Sequence, residues 1–149
     1  MEAAEVLAGC GLFTAASARV RAHLAEHASF IELQGGQALF EPGDAADCFY
    51  IVADGRLRAE VADGRATVEV GCKDSVGEIG AFSGEPRTTA AYAIRDSVLL
   101  RVSVRDLLTA VREEPEALLA ITSLIVRRLR DSPVRDRLRG ARSLRIIAV

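Results

Sequence analysis

The stretch SVGEIGAFSGEPRTTA, residues 75–90, concentrates residue types that together can bind a phosphate and a hydroxyl. Arg87 supplies a planar cation whose N–H donors suit phosphate oxygens. Gly77 and Gly80 let the backbone approach a ligand closely, and a helical turn that begins there would point unpaired backbone N–H groups at an anion. Glu78 would repel a phosphate, so its carboxylate is useful only if the ligand also offers a hydroxyl.

The other polar residues of the stretch fit the same chemistry. Pro86 restrains the backbone before Arg87, while Thr88 and Thr89 supply hydroxyls and backbone donors where a strand is predicted to begin. Each of these residues taken singly is more typical of a polar surface loop. In this order they predict a sugar-phosphate site in which Glu78 accepts a hydrogen bond from the sugar.

The elements that must position these residues begin with a helix and many strands. Residues 15–27 carry apolar side chains at helical spacing and predict a short amphipathic helix. Residues 29–70 break into short apolar or alternating runs separated by Gly and Asp-Gly turn signals, with a hairpin predicted at Asp63 and Gly64. Two more strands after residue 90 bring the predicted number to about eight.

The hydrophobic period changes from strand to helix after residue 102. Ser103 followed by Asp106 resembles a capping box and predicts the start of one helix, while Pro115 suits the first turn of another, which Pro133 would end. The side chains predicted to share one face of that last helix are Leu118, Thr122, Ile125 and Leu129. This order of elements predicts an α+β fold, a small antiparallel β-roll resembling a jelly roll, with an N-terminal helix and two C-terminal helices.

Composition is that of an ordinary globular domain. The chain has 149 residues, of which 50% are hydrophobic and 27% charged, and its net charge is -2, which places it among globular domains rather than disordered or membrane chains. Its three cysteines are widely spaced and match neither a disulfide framework nor a metal motif, which favours a reducing compartment. No apolar run approaches the roughly 20 residues that span a bilayer, and the acidic start lacks the features of a secretory signal. We therefore expect a cytoplasmic protein.

The chain resembles the cyclic nucleotide-binding domain in two segments. The phosphate-binding cassette of that family reads approximately Gly-Glu-aliphatic-small, several residues, then Pro-Arg-small-small. The matching residues here are Gly77, Glu78, Ile79, Gly80, Ala81, Pro86, Arg87, Thr88, Thr89 and Ala90. Upstream, LFEPGDAADCFYIVADGRLRAEV is similar to the Gly-Asp and aromatic-Tyr-Ile-Val pattern of the family. The resemblance covers about residues 10 to 131.

The resemblance implies a role for the matching residues. Arg87 would bind the exocyclic oxygens of a cyclic phosphate and Glu78 the ribose 2′-hydroxyl, while backbone N–H groups near Gly80 and Thr88 would complete the phosphate site. Ile79 would be the apolar contact through which the cassette senses the C-terminal helices, which would move over the filled pocket. The implied ligand is cAMP or cGMP, with a slight preference for cAMP, and no further cofactor and no metal is implied.

One feature of the family pattern is missing, because no aromatic residue follows Tyr92 to close the pocket over the base. The cap would then be an aliphatic side chain or an arginine stacked on the purine. The candidates are Ile125, Leu129, Arg127, Arg128 and Arg130. The alternative is that the aliphatic residues simply pack against the roll.

Residues 88–118 are similar, more narrowly, to the cyclic nucleotide-binding domains attached to patatin-like phospholipases of the neuropathy target esterase family. We expect residues 1–131 to form the nucleotide-binding domain, and residues 132–149 to form a linker and a candidate first strand of a further domain. The alternative for that strand is an edge strand that pairs locally. No Gly-x-Ser-x-Gly motif occurs, so any hydrolase would lie outside this chain. The expected partners are a covalently attached effector domain and a second copy bound through the C-terminal helices, without nucleic acid or a transmembrane segment.

Three other functions compete with a nucleotide sensor. The first is an interaction module of the same fold that binds no ligand. The second is the sensor half of a transcription regulator, although no helix-turn-helix follows Asp131 and the basic run there is more economically a solvated linker. The third is a cupin-like metal enzyme, which is disfavoured because His23 and His27 are the only histidines and no carboxylates are placed to join them.

Overall fold

The computed structural model describes residues 1–61 and 64–131. Within these ranges the chain forms five α-helices, one 3₁₀ turn and eight strands. In chain order they are α1 (Ala3–Gly9), the 3₁₀ turn (Gly11–Phe13), α2 (Ala18–His27), β1 (Ser29–Leu33), β2 (Ala38–Phe40), β3 (Cys48–Asp54), β4 (Leu57–Val61), β5 (Ala66–Val70), β6 (Ser75–Val76), α3 (Glu78–Ser83), β7 (Ala91–Ala93), β8 (Ser97–Ser103), α4 (Val104–Ala110) and α5 (Pro115–Asp131).

The N-terminus contains more helix than the sequence predicted. Helix α1 precedes the single helix expected, and it was missed because it is only seven residues long and fully buries only Leu7. Helix α2 begins at Ala18 rather than residue 15, because Ser17 accepts a hydrogen bond from the backbone N–H of Val20 at 3.2 Å and caps the first turn.

The strands form two four-stranded antiparallel sheets, in the orders β1-β8-β3-β6 and β2-β7-β4-β5. The predicted number of strands and the antiparallel roll are confirmed. The predicted hairpin is the β4–β5 pair, in which Leu57 lies opposite Val70 and Val61 opposite Ala66. Part of its turn, including Asp63, lies outside the described residues.

Strand β3 contributes to two separate hydrophobic cores. Phe49 and Ile51 face the helices, whereas Tyr50 and Val52 face the second sheet. This alternation follows from the two-residue period of a strand, and burying each such side chain contributes roughly 1.5–3 kcal/mol to folding. The helix-side core also contains Phe13, Leu100, Leu107 and Ile121.

The two C-terminal helices begin where the sequence predicted. The Ser103 hydroxyl accepts a hydrogen bond from the backbone N–H of Asp106 at 3.0 Å, which caps α4. The face that α5 buries is rotated from the predicted one, because it is centred on Ala117, Ile121 and Ile125. Of the predicted face, Ile125 is buried and Leu118 half-buried, whereas Thr122 and Leu129 are exposed. The predicted linker and strand at 132–149 lie outside the described residues.

Within residues 1–61 and 64–131, every helix is too short or too polar to span a membrane.

Candidate functional site

The cassette residues begin at the end of β6 and continue into the short helix α3. Gly77 has a φ of 84°, a left-handed conformation that glycine adopts without strain, and it directs the chain from strand into helix. Gly84 ends α3 in the same way, with a φ of 73°. The predicted helical turn at Gly77 is therefore present.

Arg87 is buried, with 6% of its surface exposed, and its guanidinium contacts only neutral groups among the described residues. Its Nη1 donates to the carbonyl oxygen of Gly77 and its Nη2 to that of Cys48, each at 2.6 Å. The guanidinium carbon lies 4.2 Å from the centre of the Phe40 ring. These contacts fix the orientation of the cation but supply no counter-charge.

The backbone of Arg87 is held by the Gly-Asp pair upstream. The N–H of Gly43 donates to the carbonyl oxygen of Arg87 at 2.7 Å, and the N–H of Arg87 donates to the carbonyl oxygen of Asp44 at 2.8 Å. The Asp44 carboxylate in turn accepts from the N–H of Glu41 at 2.9 Å. The two segments that carry the family resemblance therefore meet at Arg87, a pairing that sequence analysis did not predict.

Gly77 and Gly80 make room for the guanidinium. A Cβ atom at Gly77 would lie 2.9 Å from Nη1 of Arg87, and one at Gly80 would lie 3.1 Å from the same atom and 3.2 Å from Cβ of Ala46. Ordinary van der Waals contacts are longer. The glycines are therefore required for the position of Arg87, in addition to any close approach of a ligand to the backbone.

Glu78, in the first turn of α3, is also buried, with 7% of its surface exposed. Its Oε1 accepts a hydrogen bond from Nη1 of Arg128 at 2.8 Å, and the same nitrogen donates to the Ser75 hydroxyl at 2.7 Å. Arg128 thus joins the last helix to the cassette. The sequence offered Arg128 only as one of five candidate caps and did not predict this ion pair.

Two buried polar atoms of the cassette lack a hydrogen-bond partner among the described residues. They are Nε of Arg87, a donor, and Oε2 of Glu78, an acceptor. His23 Nε2 is the third such atom in the described ranges, and it lies on α2. An unpaired buried polar atom costs about 1–3 kcal/mol, so two in one cassette point to a partner that supplies an acceptor and a donor.

The remaining predicted site residues differ in exposure. Pro86 and Thr88 are exposed, whereas Thr89 is half-buried. Ala81 is buried in the helix-side core, where the neighbouring Phe82 stacks on Phe49 with ring centroids 6.1 Å apart. Ile79 is 54% exposed. Its predicted role in sensing the C-terminal helices stays a prediction.

The five candidate capping residues are dispersed around α5. Ile125 is buried in the helix-side core, as the packing alternative predicted, and Leu129 is 49% exposed. Arg127 and Arg130 are exposed. Arg128 is the candidate that reaches the cassette, and its contact there is with the predicted ribose carboxylate.

Tyr50 lies behind the arginine, where its ring stacks on Phe40 with centroids 6.5 Å apart. The Cys48 thiol donates to its hydroxyl oxygen at 3.3 Å. Burial, and secondarily this hydrogen bond, raise the pKa of Tyr50 from 10.0 to about 12. The Tyr50 hydroxyl is therefore uncharged at physiological pH.

The two histidines stack on each other with ring centroids 4.4 Å apart, and His27 Nδ1 lies 2.8 Å from the carbonyl oxygen of His23. Residues 1–61 and 64–131 contain no group of three or more His, Cys, Asp or Glu side chains that could hold a metal ion.

The family model described as cyclic nucleotide-binding domain matches residues 30–114, which is more than half of the chain. Among curated relatives, Lysophospholipase nte1 of Aspergillus oryzae is 32% identical over 117 residues, and Patatin-like phospholipase domain-containing protein 7 of Mus musculus is 32% identical over 100 residues. These alignments cover 76% and 64% of this chain but 8% and 7% of those proteins. The chain thus spans a small fraction of the length of the curated relatives it matches.

A similar solved structure is the N-terminal domain of a transcriptional regulator from Streptomyces coelicolor A3(2). It is 31% identical to this chain with a TM-score of 0.67, and the alignment covers 86% of this chain and 94% of that one. The likeness therefore extends over almost all of that domain.

Proposed function

The chain belongs to the cyclic nucleotide-binding domain family, and from this premise we propose that it binds cAMP or cGMP at residues 77–89. The observation that carries the proposal is the pair of unpaired buried atoms, Arg87 Nε and Glu78 Oε2. A cyclic nucleotide offers both partners, because its phosphate accepts hydrogen bonds and its ribose 2′-hydroxyl donates one. Its negative charge would also offset a buried cation whose contacts, within the described part of the chain, are carbonyl groups and a ring.

The chemistry of the site is binding by prearranged groups. The carbonyl oxygens of Gly77 and Cys48 hold the two terminal nitrogens of Arg87, so the guanidinium is oriented before a ligand arrives. Backbone N–H groups near Gly80 and Thr88 complete the phosphate site in this proposal. Prearrangement lowers the entropy lost on binding, because fewer side chains must become ordered.

The experiment is calorimetric titration of the purified, nucleotide-stripped chain with cAMP and with cGMP, with Arg87→Ala as the comparison. We expect saturable binding that weakens by at least about ten- to a hundredfold in the variant, because a charge-assisted phosphate contact worth roughly 1.5–3 kcal/mol is lost. Because Arg87 is buried, the fold of the variant is checked by circular dichroism. Normal binding by a folded Arg87→Ala variant would show that the phosphate site is elsewhere.

The second candidate function is the interaction module that binds no ligand. The specific observation in its favour is that Glu78 already has a protein partner, Arg128. A folded chain that gives no heat with either nucleotide would support this candidate over the sensor.

We propose a regulatory rather than a catalytic role for this chain. Ligand binding would favour one arrangement of the cassette and the C-terminal helices, and the coupling can be no larger than the difference in affinity for the two arrangements. The effector would be an attached domain such as a patatin-like phospholipase, as the names of the curated relatives suggest. A transcription regulator is the alternative, which the Streptomyces coelicolor domain favours.

We propose the cytoplasm as the location of the protein. Its three cysteines are free, which suits a reducing compartment.

A second copy of the chain is a further proposed partner. Leu119, Val126 and Leu129 are exposed on α5 at intervals of seven and three residues, as on one side of a coiled-coil helix. Two copies would bury these side chains against each other, and sedimentation of the purified chain would measure the association.

A further inference from the structure

Glu60 on β4 holds the chain where it leaves the cassette. Its backbone N–H donates to the carbonyl oxygen of Ala90 at 2.8 Å, and its Oε2 accepts a hydrogen bond from the backbone N–H of Ala90 at 3.1 Å. Both residues are half-buried, and they lie 30 positions apart in the sequence. The contact therefore connects β4 to the segment that follows Arg87.

We propose that Glu60 is a positioning residue of the phosphate site, which acts through Ala90 on the backbone N–H groups of Thr88 and Thr89. This inference rests on the proposed function and adds to it a residue outside the 77–89 cassette. It also names the group of the ligand that the residue serves, which is an exocyclic oxygen of the cyclic phosphate.

The register of the sheet places Glu60 at the point where β4 and the cassette segment separate. Strands β4 and β7 pair with Ala59 opposite Ala91, so Glu60 lies opposite Ala90. The two residues of a hydrogen-bonded antiparallel pair normally exchange two bonds between their main chains. In this pair the second bond goes to the Glu60 carboxylate. The side chain thus fixes the position from which the chain turns away from the sheet toward the cassette.

The two threonines lie between fixed points on either side. The backbone of Arg87 is held by hydrogen bonds to the Gly-Asp pair upstream. Ala90 is held by the main chain and the carboxylate of Glu60. Thr88 and Thr89 are the two residues between these contacts, so their main chain can shift little while both contacts persist.

The backbone N–H groups of the two threonines are free to bind a ligand. Within residues 1–61 and 64–131, neither of them donates to a backbone carbonyl oxygen. A phosphate oxygen accepts hydrogen bonds from such N–H groups, and donors that are already fixed lose little entropy on binding. Loss of the Glu60 contact would leave the N–H of Ala90 without its acceptor and would loosen the adjacent donors.

Reach and charge of the Glu60 side chain predict opposite results, and they can be varied separately. A positioning role needs an acceptor oxygen that reaches Ala90, which Glu60→Gln keeps and Glu60→Asp, shorter by one methylene group, loses. A negative charge near an anionic ligand would instead oppose binding. In that case Glu60→Gln would tighten binding, whereas Glu60→Asp would leave it unchanged.

The test measures the affinity of the whole chain for cAMP and cGMP by titration calorimetry. We expect Glu60→Asp to weaken binding about three- to tenfold and Glu60→Gln to stay within about twofold of the unmodified chain, because the amide oxygen still accepts a hydrogen bond. Glu69→Asp is the matched control, since Glu69 is exposed on the neighbouring strand β5, where it pairs with Arg56 and Arg58. The control should preserve both affinities.

Phosphorothioate analogues of the nucleotide separate positioning from a general loss of stability. Each of the two diastereomers replaces one exocyclic oxygen with sulfur, which is a weaker hydrogen-bond acceptor. The ratio of their affinities therefore reports the donors around each oxygen. Glu60→Asp should change this ratio, whereas a variant that is only less stable would bind the two diastereomers in the original ratio.

The outcomes distinguish the role of Glu60 from the function of the site. An unchanged diastereomer ratio in Glu60→Asp, or tighter binding by Glu60→Gln, would overturn the role of Glu60 and leave the proposed function intact. Absence of nucleotide binding by the unmodified chain would overturn the proposed function as well.

Discussion

Arg87 and the glycines around it form one unit at the scale of single residues. The guanidinium is positioned by two carbonyl oxygens, the Phe40 ring and the absence of side chains at Gly77 and Gly80. A change in any of these groups should therefore affect the proposed ligand site through the arginine, even where the changed residue would make no contact with a ligand.

Gly80→Ala tests this dependence. Its methyl group would lie 3.1 Å from Nη1 of Arg87 and 3.2 Å from Cβ of Ala46, so the guanidinium must shift. We expect cyclic nucleotide affinity to fall about three- to tenfold. Stability should change little, because the helix propensity that alanine gains over glycine, up to about 1 kcal/mol, offsets the cost of the close contacts. Titration calorimetry and denaturant unfolding measure the two effects.

Gly11→Ala is the matched control, because a Cβ there would have no neighbour within 4 Å. It should leave nucleotide affinity unchanged. Equal loss of affinity in both variants would contradict the dependence of Arg87 on Gly80.

At the scale of elements, the turn between β3 and β4 is closely packed against another strand. Gly55 joins β3 to β4 with a φ of 106°, and a Cβ atom there would overlap the Ser97 hydroxyl oxygen and lie 2.6 Å from Cα of Ser97. Ser97 belongs to β8, and its hydroxyl accepts from the N–H of Arg56 at 3.1 Å. The turn is thus packed directly against the first residue of that strand.

Gly55→Ala should therefore destabilise the fold by about 3 kcal/mol or more, because it adds a backbone clash to an unfavourable φ. Gly36→Ala is its control, since Gly36 has a φ of 87° but a methyl group there would meet no atom within 4 Å. The control should lose only about 1 kcal/mol. Unfolding in guanidinium chloride compares them, and similar losses would show that packing against Ser97 is unimportant.

The elements also show what could be predicted from the sequence. The strands and the cap at Ser103 follow from periodicity and turn residues, which act locally. Helix α1 and the rotated face of α5 depend on which neighbours cover them, and those contacts come from distant parts of the chain. Residue types and order singled out Glu78 and Arg87 as candidate site residues, but the Arg128–Glu78 pair spans 50 positions in sequence and had no local signal.

The response of the whole molecule to alkaline pH can be predicted from Tyr50. Its pKa is raised from 10.0 to about 12 in the folded chain, so its contribution to stability is complete below about pH 10. That contribution is lost as the pH rises from about 10 to about 12, because the unfolded chain releases the proton first.

Denaturant unfolding at about pH 9 and about pH 11 measures this effect, with Tyr50→Phe as the comparison. We expect the free energy of unfolding to fall more steeply with pH in the unmodified chain than in the variant. Parallel losses would mean that other groups account for the alkaline response.

Strand β3 has a consequence for how the molecule unfolds, because it contributes side chains to both hydrophobic cores. Phe49 and Ile51 cannot leave the helices without also withdrawing Tyr50 and Val52 from between the sheets. The helix-side core and the core between the sheets therefore both depend on β3, so neither core can come apart while the other stays intact. Melting should accordingly be cooperative, as a single transition in which helix signal and tyrosine environment are lost at the same temperature.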